Sequence, residues 1–222
     1  MIGDLVIVDD VAVEFSERVI EAFHRRPHDS FALACSGGAT ARRCYERLAD
    51  DAGTQIDWWK VDLYWSDERC VPLDHEDSNY RLVRESLLER VGAVNANYPM
   101  RCEDGADAYQ LRLGELGRFD VVHLGLGHDG HTASLFPGSP ALAADPGRLV
   151  TRNTDPTGRN PHDRMTLTFA GISRARLVIV TVSGEEKAAA FAQVRAGDPD
   201  CPATQVRAED VVWIVDRAAA DG

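Results

Sequence analysis

Short apolar runs alternate along the chain with longer stretches in which apolar residues recur every three to four positions. The short runs are typical of buried strands, and the periodic stretches are typical of amphipathic helices. The predicted strands are Leu5–Val8, Phe31–Cys35, Val61–Trp65, Phe119–Gly125, Met165–Phe169, Leu177–Val182 and Val211–Val215. The predicted helices are Val11–Arg25, Ala39–Asp50, Ser78–Val91, Asp107–Leu116 and Glu185–Arg195.

This alternation predicts an α/β fold in which parallel strands are joined by crossover helices. The chain has 222 residues, a length at which one domain is usual. We therefore expect a single catalytic α/β domain over residues 1–222. Ser78 is the predicted N-cap of the third helix. Half of the ten prolines fall between residues 137 and 161, so we expect a long irregular loop there, of a kind that is more often functional than idle.

Charge and hydropathy exclude several classes of partner. Asp and Glu outnumber Lys and Arg by 36 to 24, which gives a formal net charge of −12. This balance argues against nucleic acid or an anionic membrane as a partner, because both need basic patches. The chain has no apolar run of membrane-spanning length and no signal-peptide pattern at its start. We therefore expect a cytoplasmic protein. We also expect it to be a monomer.

The cysteines give a separate indication of the compartment. They lie at positions 35, 44, 70, 102 and 201, an odd number without a CxxC pair. This pattern favours a reducing cytosol over a disulfide framework or a zinc site.

The segment FDVVHLGLGHDGHTASLFPG, residues 119–138, contains the most informative pattern. An apolar strand ends in a glycine-rich turn that brings Asp129 and His131 to its carboxyl edge, where open parallel sheets bind ligands. We interpret the segment as an active-site turn with His131 as the titrating group. His123 and His128 would complete a metal cluster with His131, but His123 lies within the predicted strand and is expected to face the core.

The same turn also matches the dinucleotide fingerprint G-x-G-x-x-G at Gly125, Gly127 and Gly130. That fingerprint requires a helix that starts at the third glycine and directs free N–H groups at a pyrophosphate. Pro137 and Pro140 leave room for barely two helical turns. The match is therefore interpreted as accidental.

The segment FALACSGGAT places a Ser-Gly-Gly-x-Thr turn between a strand and a helix. Backbone N–H groups of such a turn, together with the helix dipole, favour a phosphate. The candidate phosphate-binding residues are Ser36, Gly37, Gly38 and Thr40. The motif alone leaves an ordinary tight turn equally open.

Ser36 also permits a second interpretation, as the nucleophile of a serine hydrolase. Ala34-x-Ser36-x-Gly38 differs from the nucleophile elbow G-x-S-x-G only at its first residue. Asp129 and His131 would then complete a triad. We disfavour this interpretation, because a carboxylate two residues before the histidine on one turn is expected to be badly placed to orient the imidazole.

Charged residues at three other places complete the candidate site. In WSDERCVPLDHEDSN, Asp67, Glu68 and Arg69 follow a strand, where a solvated charge cluster is the default expectation. Arg164 opens the RMTLTF strand, and Lys187 follows Ser183-Gly184 at the start of a helix. A lysine in a first helical turn opposes the helix dipole, so an anionic ligand would favour its position, although a surface lysine tolerated at small cost is an equal alternative.

These motifs, SGGAT, WSDERCVP with a following SN, GLGHDGHTASLFPG, RMTLTF and SGEEKAA, resemble in order and spacing those of the 6-phosphogluconolactonase family. The resemblance covers about residues 30–195, and DGHTASLFPG is its most specific part. It implies a three-layer α/β/α sandwich with a mostly parallel sheet, similar to the glucosamine-6-phosphate deaminase and ribose-5-phosphate isomerase group. It also implies hydrolysis of 6-phospho-D-glucono-1,5-lactone in the pentose phosphate pathway, with no cofactor and no bound metal.

The resemblance assigns roles to the candidate residues. The catalytic set is His131, Asp129, Arg69 and Asp67, and the phosphate-binding set is Ser36, Gly37, Gly38, Thr40, Arg164 and Lys187. A histidine has an ordinary pKa of about 6.5, which suits a general base that deprotonates water at neutral pH. The chain departs from the family at Ala39-Thr40-Ala41, where Ser-Thr-Pro is common, and this change is expected to weaken the turn modestly.

Three other functions share some of these features. An aldose-phosphate deaminase or isomerase has the same turn and fold, but HTASLFPG and the DER cluster fit the lactonases better. A non-catalytic sugar-phosphate sensor would keep the phosphate site without needing His131. A serine hydrolase would need Ser36 as its nucleophile.

Overall fold

Helices and strands alternate along the chain in a computed structural model that describes residues 3–221. The strands are β1 (Asp4–Val8), β2 (Phe31–Cys35), β3 (Val61–Trp65), β4 (Asp67–Arg69), β5 (Ala96–Asn97), β6 (Phe119–Gly125), β7 (Val150–Asn153), β8 (Arg164–Leu167), β9 (Ala175–Val182) and β10 (Asp210–Asp216). The α-helices are α1 (Val11–Arg25), α2 (Ala39–Ala52), α3 (Asn79–Val83), α4 (Glu89–Val91), α5 (Gly105–Leu116), α6 (Phe169–Ile172), α7 (Ala188–Ala196) and α8 (Arg217–Asp221). No helix within the described range is long and apolar enough to cross a membrane.

Seven parallel strands form the central sheet, in the order β1-β10-β9-β6-β2-β3-β5. Helices flank this sheet, which confirms the predicted α/β/α arrangement. The central strand β2 is buried at every position, as expected for a parallel strand covered on both faces. The continuous apolar run that predicted β2 is therefore a consequence of its position in the middle of the core.

The direction in which the chain crosses the sheet reverses between β2 and β6. These two strands pair through Leu33 with Val121 and Ala34 with Val122. From β2 the chain continues outward to β3 and β5, whereas from β6 it continues in the opposite direction to β9 and β10. Such a reversal opens a crevice at the carboxyl ends of the two strands, where open α/β sheets bind their ligands.

A second, three-stranded sheet is antiparallel, in the order β4-β8-β7. The RMTLTF strand therefore does not belong to the parallel sheet, and the prediction that it runs parallel to the others is wrong. β4 consists of Asp67–Arg69, which the sequence indicated only as a charge cluster, and β7 lies within the 137–161 segment that was predicted to be irregular. Strands this short and polar have no readable hydrophobic period, so pairing with distant residues determines them.

Two of the predicted helices differ in detail. Ser78 is an N-cap as predicted, and its Oγ accepts the backbone N–H of Arg81 at 3.2 Å. The helix reaches Val91 as predicted, but it contains a π-helical turn at Arg84–Leu88 between α3 and α4. The predicted helix 185–195 starts with a 3₁₀ turn at Glu185–Lys187, which leads into α7.

Cys70 and Cys102 form a disulfide bond, with their Cα atoms 5.3 Å apart. The expectation that the cysteines suit a reducing environment better than disulfide formation is therefore wrong for this pair. The two residues are 32 positions apart, and no local motif signals that β4 and the approach to α5 meet. Cys35, Cys44 and Cys201 are free and buried.

Candidate active site

A cavity of about 390 Å³ lies in the crevice between the loops that follow β2 and β6. All of the predicted site residues except Asp129 line it, namely Ser36, Gly37, Gly38, Thr40, Asp67, Arg69, His131, Arg164 and Lys187. They come from five separate stretches of the chain. The fold therefore brings together the groups that the sequence singled out one by one.

The turn between β2 and α2 has the geometry of an anion-binding turn. Gly38 has a φ angle of +97° immediately before the first residue of α2, and no side chain caps the helix. The first N–H groups of α2 thus have no partner within the helix and are available, with the helix dipole, to an anion. Gly37 has no room for a side chain, because a Cβ there would lie 1.8 Å from Oδ1 of Asn79.

Arg69 and Arg164 are register partners across the antiparallel pair β4 and β8. Arg164 is only 4% exposed, and its Nη1 has no hydrogen-bond partner in the described part of the chain. Burial lowers the pKa of Arg164, and the positive charge of Arg69 lowers it further. Arg69 donates through Nη1 to the backbone carbonyl of Asp77 at 2.5 Å. Two like charges directly opposite each other are unfavourable, and an anion between them reverses the sign of the interaction.

Lys187 reaches the same cavity from the turn that follows β9. Asp216 anchors this turn, because its carboxylate accepts the hydroxyl of Ser183 at 2.6 Å and the backbone N–H of Gly184 at 2.9 Å. Burial lowers the pKa of Lys187, and the carboxylates of Glu186 and Asp129 partly offset the effect. A half-buried ammonium beside a helix start is a favourable place for an anionic group.

His131 and Asp129 form a hydrogen-bonded pair in the turn after β6. Nδ1 of His131 lies 2.5 Å from Oδ1 of Asp129, and the same oxygen accepts the backbone N–H of His131 at 3.1 Å. Asp129 therefore orients the imidazole, and the expectation that it is badly placed to do so is wrong. Gly130, with a φ angle of +81°, folds the turn back on itself and makes this contact possible.

The pair also determines which nitrogen of the His131 ring can accept a proton from a molecule in the cavity. Burial raises the pKa of Asp129, but the hydrogen bonds and charge of His131 outweigh this effect and bring the pKa below its ordinary value. An ionised Asp129 accepts a hydrogen bond from Nδ1–H of His131, so Nε2 is the nitrogen left with a lone pair. The arrangement is suited to taking a proton from a water molecule in the cavity.

The glycines of this turn make room for the imidazole of His131 and do not form a dinucleotide-binding turn. A Cβ at Gly127 would lie 2.1 Å from Nδ1 of His131, and the N–H of Gly127 donates to the carbonyl of His131 at 2.8 Å. Phe136 packs edge-on against the imidazole, with 4.9 Å between ring centroids. After Gly130 the chain forms turns, and its next helical segment is the 3₁₀ turn Pro140–Ala143. The helix that the dinucleotide fingerprint requires does not form there.

Asp67 lines the cavity, but protein side chains hold its carboxylate. Oδ2 accepts the hydroxyl of Ser134 at 2.6 Å, and Oδ1 accepts the amide of Asn79 at 3.2 Å. Asp67 thus joins β4 to the turn that carries His131 and to the start of α3. These contacts favour a positioning role over the catalytic role that was predicted for it.

Glu68 was expected to be part of a solvated charge cluster, and that expectation is wrong. It is only 1% exposed. Its carboxylate accepts the backbone N–H groups of Arg69, Asn79 and Tyr80, each at 2.7 Å, and the hydroxyl of Ser78 at 3.1 Å. Burial nevertheless raises the pKa of Glu68 to about 7. Glu68 secures the start of α3 beside the site.

The residues that line the cavity but were not predicted as site residues include Asn79, Ser134 and Asn160. Asn79 belongs to the SN pair and Ser134 to HTASLFPG, so both motifs contained a signal. Asn160 comes from the long loop, where Asp155 accepts its backbone N–H at 2.9 Å and its side-chain amide at 2.8 Å. An Asx-type turn of this kind is visible only once the loop is folded.

The geometry gives no support to a serine nucleophile. The backbone N–H of Ser36 donates to the hydroxyl of Tyr45 at 2.6 Å, whereas His131 is paired with Asp129. Within residues 3–221 no hydrogen bond joins the Ser36 hydroxyl to His131. A serine nucleophile needs that contact with its base.

Comparison with known proteins extends the resemblance to nearly the whole chain. Residues 6–213 match the family model described as glucosamine-6-phosphate isomerases/6-phosphogluconolactonase. The chain belongs to this family. A 6-phosphogluconolactonase of Synechocystis sp. is 34% identical, over 100% of this chain and 95% of its own length. A 6-phosphogluconolactonase of Nostoc sp. is 35% identical, over 85% of this chain and 83% of its own length.

Solved structures of the glucosamine-6-phosphate isomerase/6-phosphogluconolactonase family confirm the fold. The crystal structure of 6-phosphogluconolactonase from Thermotoga maritima has 30% sequence identity and a TM-score of 0.84, and the match covers 96% of this chain and 99% of that one. A monomeric glucosamine-6-phosphate deaminase reaches a TM-score of 0.83 at 17% identity. At this identity the likeness shows a common fold and carries no information about the reaction.

Proposed function

We propose that the protein hydrolyses 6-phospho-D-glucono-1,5-lactone to 6-phospho-D-gluconate in the oxidative pentose phosphate pathway, with His131 as the general base. The observation that carries the proposal is the Asp129–His131 pair, which leaves Nε2 to take a proton, in a cavity that Arg69, Arg164 and Lys187 also line. Relatives over the full length of the chain bear the name 6-phosphogluconolactonase, which supports the substrate.

The reaction begins as Nε2 of His131 takes a proton from water while the water oxygen attacks the lactone carbonyl carbon. Asp129 holds the ring and stabilises the imidazolium that forms. The tetrahedral intermediate then expels the ring oxygen, which receives the proton from His131 as the carbon–oxygen bond breaks. The product is a carboxylic acid that loses its proton to solvent.

The substrate phosphate binds at the turn from Ser36 to Thr40, with Arg164 and Lys187 as the cationic partners. Each of these groups is present at the cavity, and the unpartnered Nη1 of Arg164 favours a charged acceptor. Arg69, beside Arg164, binds substrate oxygens. Remote binding of this kind positions the reacting carbon.

Hydrolysis transfers no electrons between molecules, so it needs no redox cofactor. The groups required all come from one chain, and we propose that a single-domain monomer acts on this small-molecule substrate in the cytoplasm.

A pH-stat assay on freshly prepared 6-phosphogluconolactone tests the proposal, because each turnover releases one proton. Purified protein without added NAD(P) or metal is expected to accelerate hydrolysis well above the spontaneous rate measured in the same buffer. A rate equal to the spontaneous one, from protein shown by circular dichroism to be folded, would overturn the proposal. Loss of activity in Ser36→Ala with product binding intact would replace the general-base mechanism by a covalent one.

A further inference from the structure

A buried chain of hydrogen bonds lies behind the cavity and is not used by the proposed mechanism. The hydroxyl of Tyr45 on α2 accepts the backbone N–H of Ser36 at 2.6 Å and lies 2.8 Å from Nδ1 of His123 on β6. Nε2 of His123 lies 2.9 Å from the hydroxyl of Thr181 on β9. We call Ser36, Tyr45, His123 and Thr181 the buried relay.

The members of the buried relay can form their hydrogen bonds while all of them are uncharged. Tyr45 and His123 are both 0% exposed, and Phe15 packs on the imidazole with 4.3 Å between ring centroids. Burial lowers the pKa of His123 to about 3, so its ring is neutral near pH 7. In either neutral tautomer each ring nitrogen has a hydroxyl partner, because a hydroxyl can donate or accept.

The two ends of the relay lie on the two sides of the anion-binding site. Ser36 opens the turn before α2, and Thr181 comes just before the turn that carries Lys187; both residues line the cavity. The N–H of Ser36 donates to the buried hydroxyl of Tyr45 and is therefore not available to a ligand. The N–H groups of the next residues are the ones that can bind an anion in the cavity. His123 links β6 to β9 through side chains in addition to the backbone pairing.

We propose that Tyr45 and His123 are positioning residues for the phosphate site, which set the separation between the Ser36–Thr40 turn and the Lys187 turn. The inference rests on the proposed function, since it concerns the same site. Neither residue touches the substrate. Their effect is on the discrimination between a phosphorylated sugar acid and the same acid without its phosphate.

Tyr45→Phe tests the proposal, because it removes one oxygen atom and keeps the ring. Binding of 6-phospho-D-gluconate and of D-gluconate is measured by calorimetry, and kcat and KM are measured on the lactone with and without its phosphate. We expect Kd for 6-phospho-D-gluconate and KM for the phosphorylated lactone to rise about tenfold, the equivalent of one hydrogen bond. We expect kcat, and all values for the unphosphorylated compounds, to stay within about twofold to threefold.

Tyr109→Phe is the matched control. The hydroxyl of Tyr109 likewise accepts a strand-end N–H, that of Trp65 at 2.9 Å, and donates to the carbonyl of Tyr98 at 3.1 Å. It is 6% exposed and does not line the cavity. A comparable fall in Tm is expected from both variants, but only Tyr45→Phe should lose discrimination for phosphate.

Equal losses on phosphorylated and plain compounds, the same loss of discrimination in Tyr109→Phe, or unchanged binding in Tyr45→Phe would each overturn the proposal. If Tyr45→Phe does not fold, His123→Leu cuts the relay at a residue that does not line the cavity, and it carries the same expectation. The binding measurements do not depend on turnover. A wild-type protein that binds 6-phospho-D-gluconate but does not hydrolyse the lactone therefore fails the proposed function and leaves this inference to be decided by the variants.

Discussion

The imidazole of His131 is the group on which the proposed chemistry depends. His131→Ala is expected to lower kcat by about two to four decades, the usual contribution of general acid–base catalysis. Kd for 6-phospho-D-gluconate should change little, because the phosphate contacts lie on other segments. Steady-state kinetics and calorimetry on one preparation measure both quantities. A near wild-type kcat would remove His131 from the mechanism.

Asp129→Asn should be a milder change at the same pair. The carboxylate oxygen that holds the imidazole also accepts the backbone N–H of His131, so the oxygen of an asparagine is held in the same place and the same ring nitrogen stays protonated. What is lost is the charge, worth about 1–1.5 kcal/mol as the difference between a charged and a neutral hydrogen bond. We expect kcat to fall about tenfold. A loss as large as that of His131→Ala would show that Asp129 does more than orient the ring.

Replacing Arg164 should raise the stability of the protein and lower its kcat/KM for the phosphorylated lactone. Arg164→Met keeps the packing of the stem and removes a buried guanidinium that faces Arg69 and whose Nη1 has no hydrogen-bond partner within residues 3–221. Tm in phosphate-free buffer is expected to rise, while kcat/KM for the phosphorylated lactone falls by about one to two decades, as for one charged hydrogen bond. Arg152→Met on β7, which is exposed and outside the cavity, is the control. Equal losses on plain gluconolactone would contradict the assignment.

At the scale of elements, the bond between Cys70 and Cys102 fastens the end of β4 to the approach to α5. Closing a loop of 32 residues stabilises the fold by about 3–4 kcal/mol in the chain-entropy estimate. Urea unfolding with and without dithiothreitol should show a difference of up to this size. The variant Cys70→Ser/Cys102→Ser should be insensitive to the reductant. Identical curves for the reduced and oxidised wild type would contradict the expectation.

The elements that could be predicted from the sequence are those that their local hydrophobic pattern determines. β2, β3 and β6 are neighbouring inner strands made mostly of apolar residues, and their predicted ends match the structure. β4 and β7 have no such pattern, since they exist only because β8 lies between them. The disulfide escaped prediction for the same reason: two cysteines meet across elements whose packing no local motif encodes.

The sequence predicted which residues form the site better than it predicted the contacts between them. Ser36, His131 and Lys187 stand in motifs whose chemistry is legible, and the structure places them at one cavity. The inward direction of Glu68 depends on the pairing of β4 with β8, and the contact between Asp129 and His131 depends on backbone angles within one turn. Spacing along the chain determines neither, which explains why both were misjudged.

At the scale of the whole molecule, His123 makes stability depend on pH. The imidazole of the unfolded chain gains a proton near its ordinary pKa of about 6.5, whereas burial holds the pKa of His123 in the folded protein at about 3. Its contribution to stability is complete above pH 6.5 and is lost progressively as the pH falls toward 3. Between pH 7.5 and 5.5 this loss is about 1 kcal/mol in the free energy of unfolding. Urea unfolding of the wild type and His123→Leu at both pH values measures it.

Glu68 acts with the opposite sign, which is why the variant is needed. Its pKa of about 7 in the folded protein lies above its ordinary value of 4.5, so its contribution is complete below 4.5 and is lost as the pH rises through 7. The wild-type profile is therefore a sum of opposing terms. The difference between wild type and His123→Leu isolates the histidine, and an equal pH dependence in the two proteins would contradict its assignment.

Because Arg69 and Arg164 repel each other, the stability of the folded protein should depend on the concentration of its anionic ligand. An anion that neutralises both charges binds the folded chain and not the unfolded one, and at a hundredfold excess over Kd it raises the free energy of unfolding by about 2.7 kcal/mol. Proteases degrade a protein in proportion to the fraction of molecules that is open. The amount of enzyme that a cell retains should then follow the concentration of phosphorylated metabolite, so that flux through the reaction preserves its own catalyst.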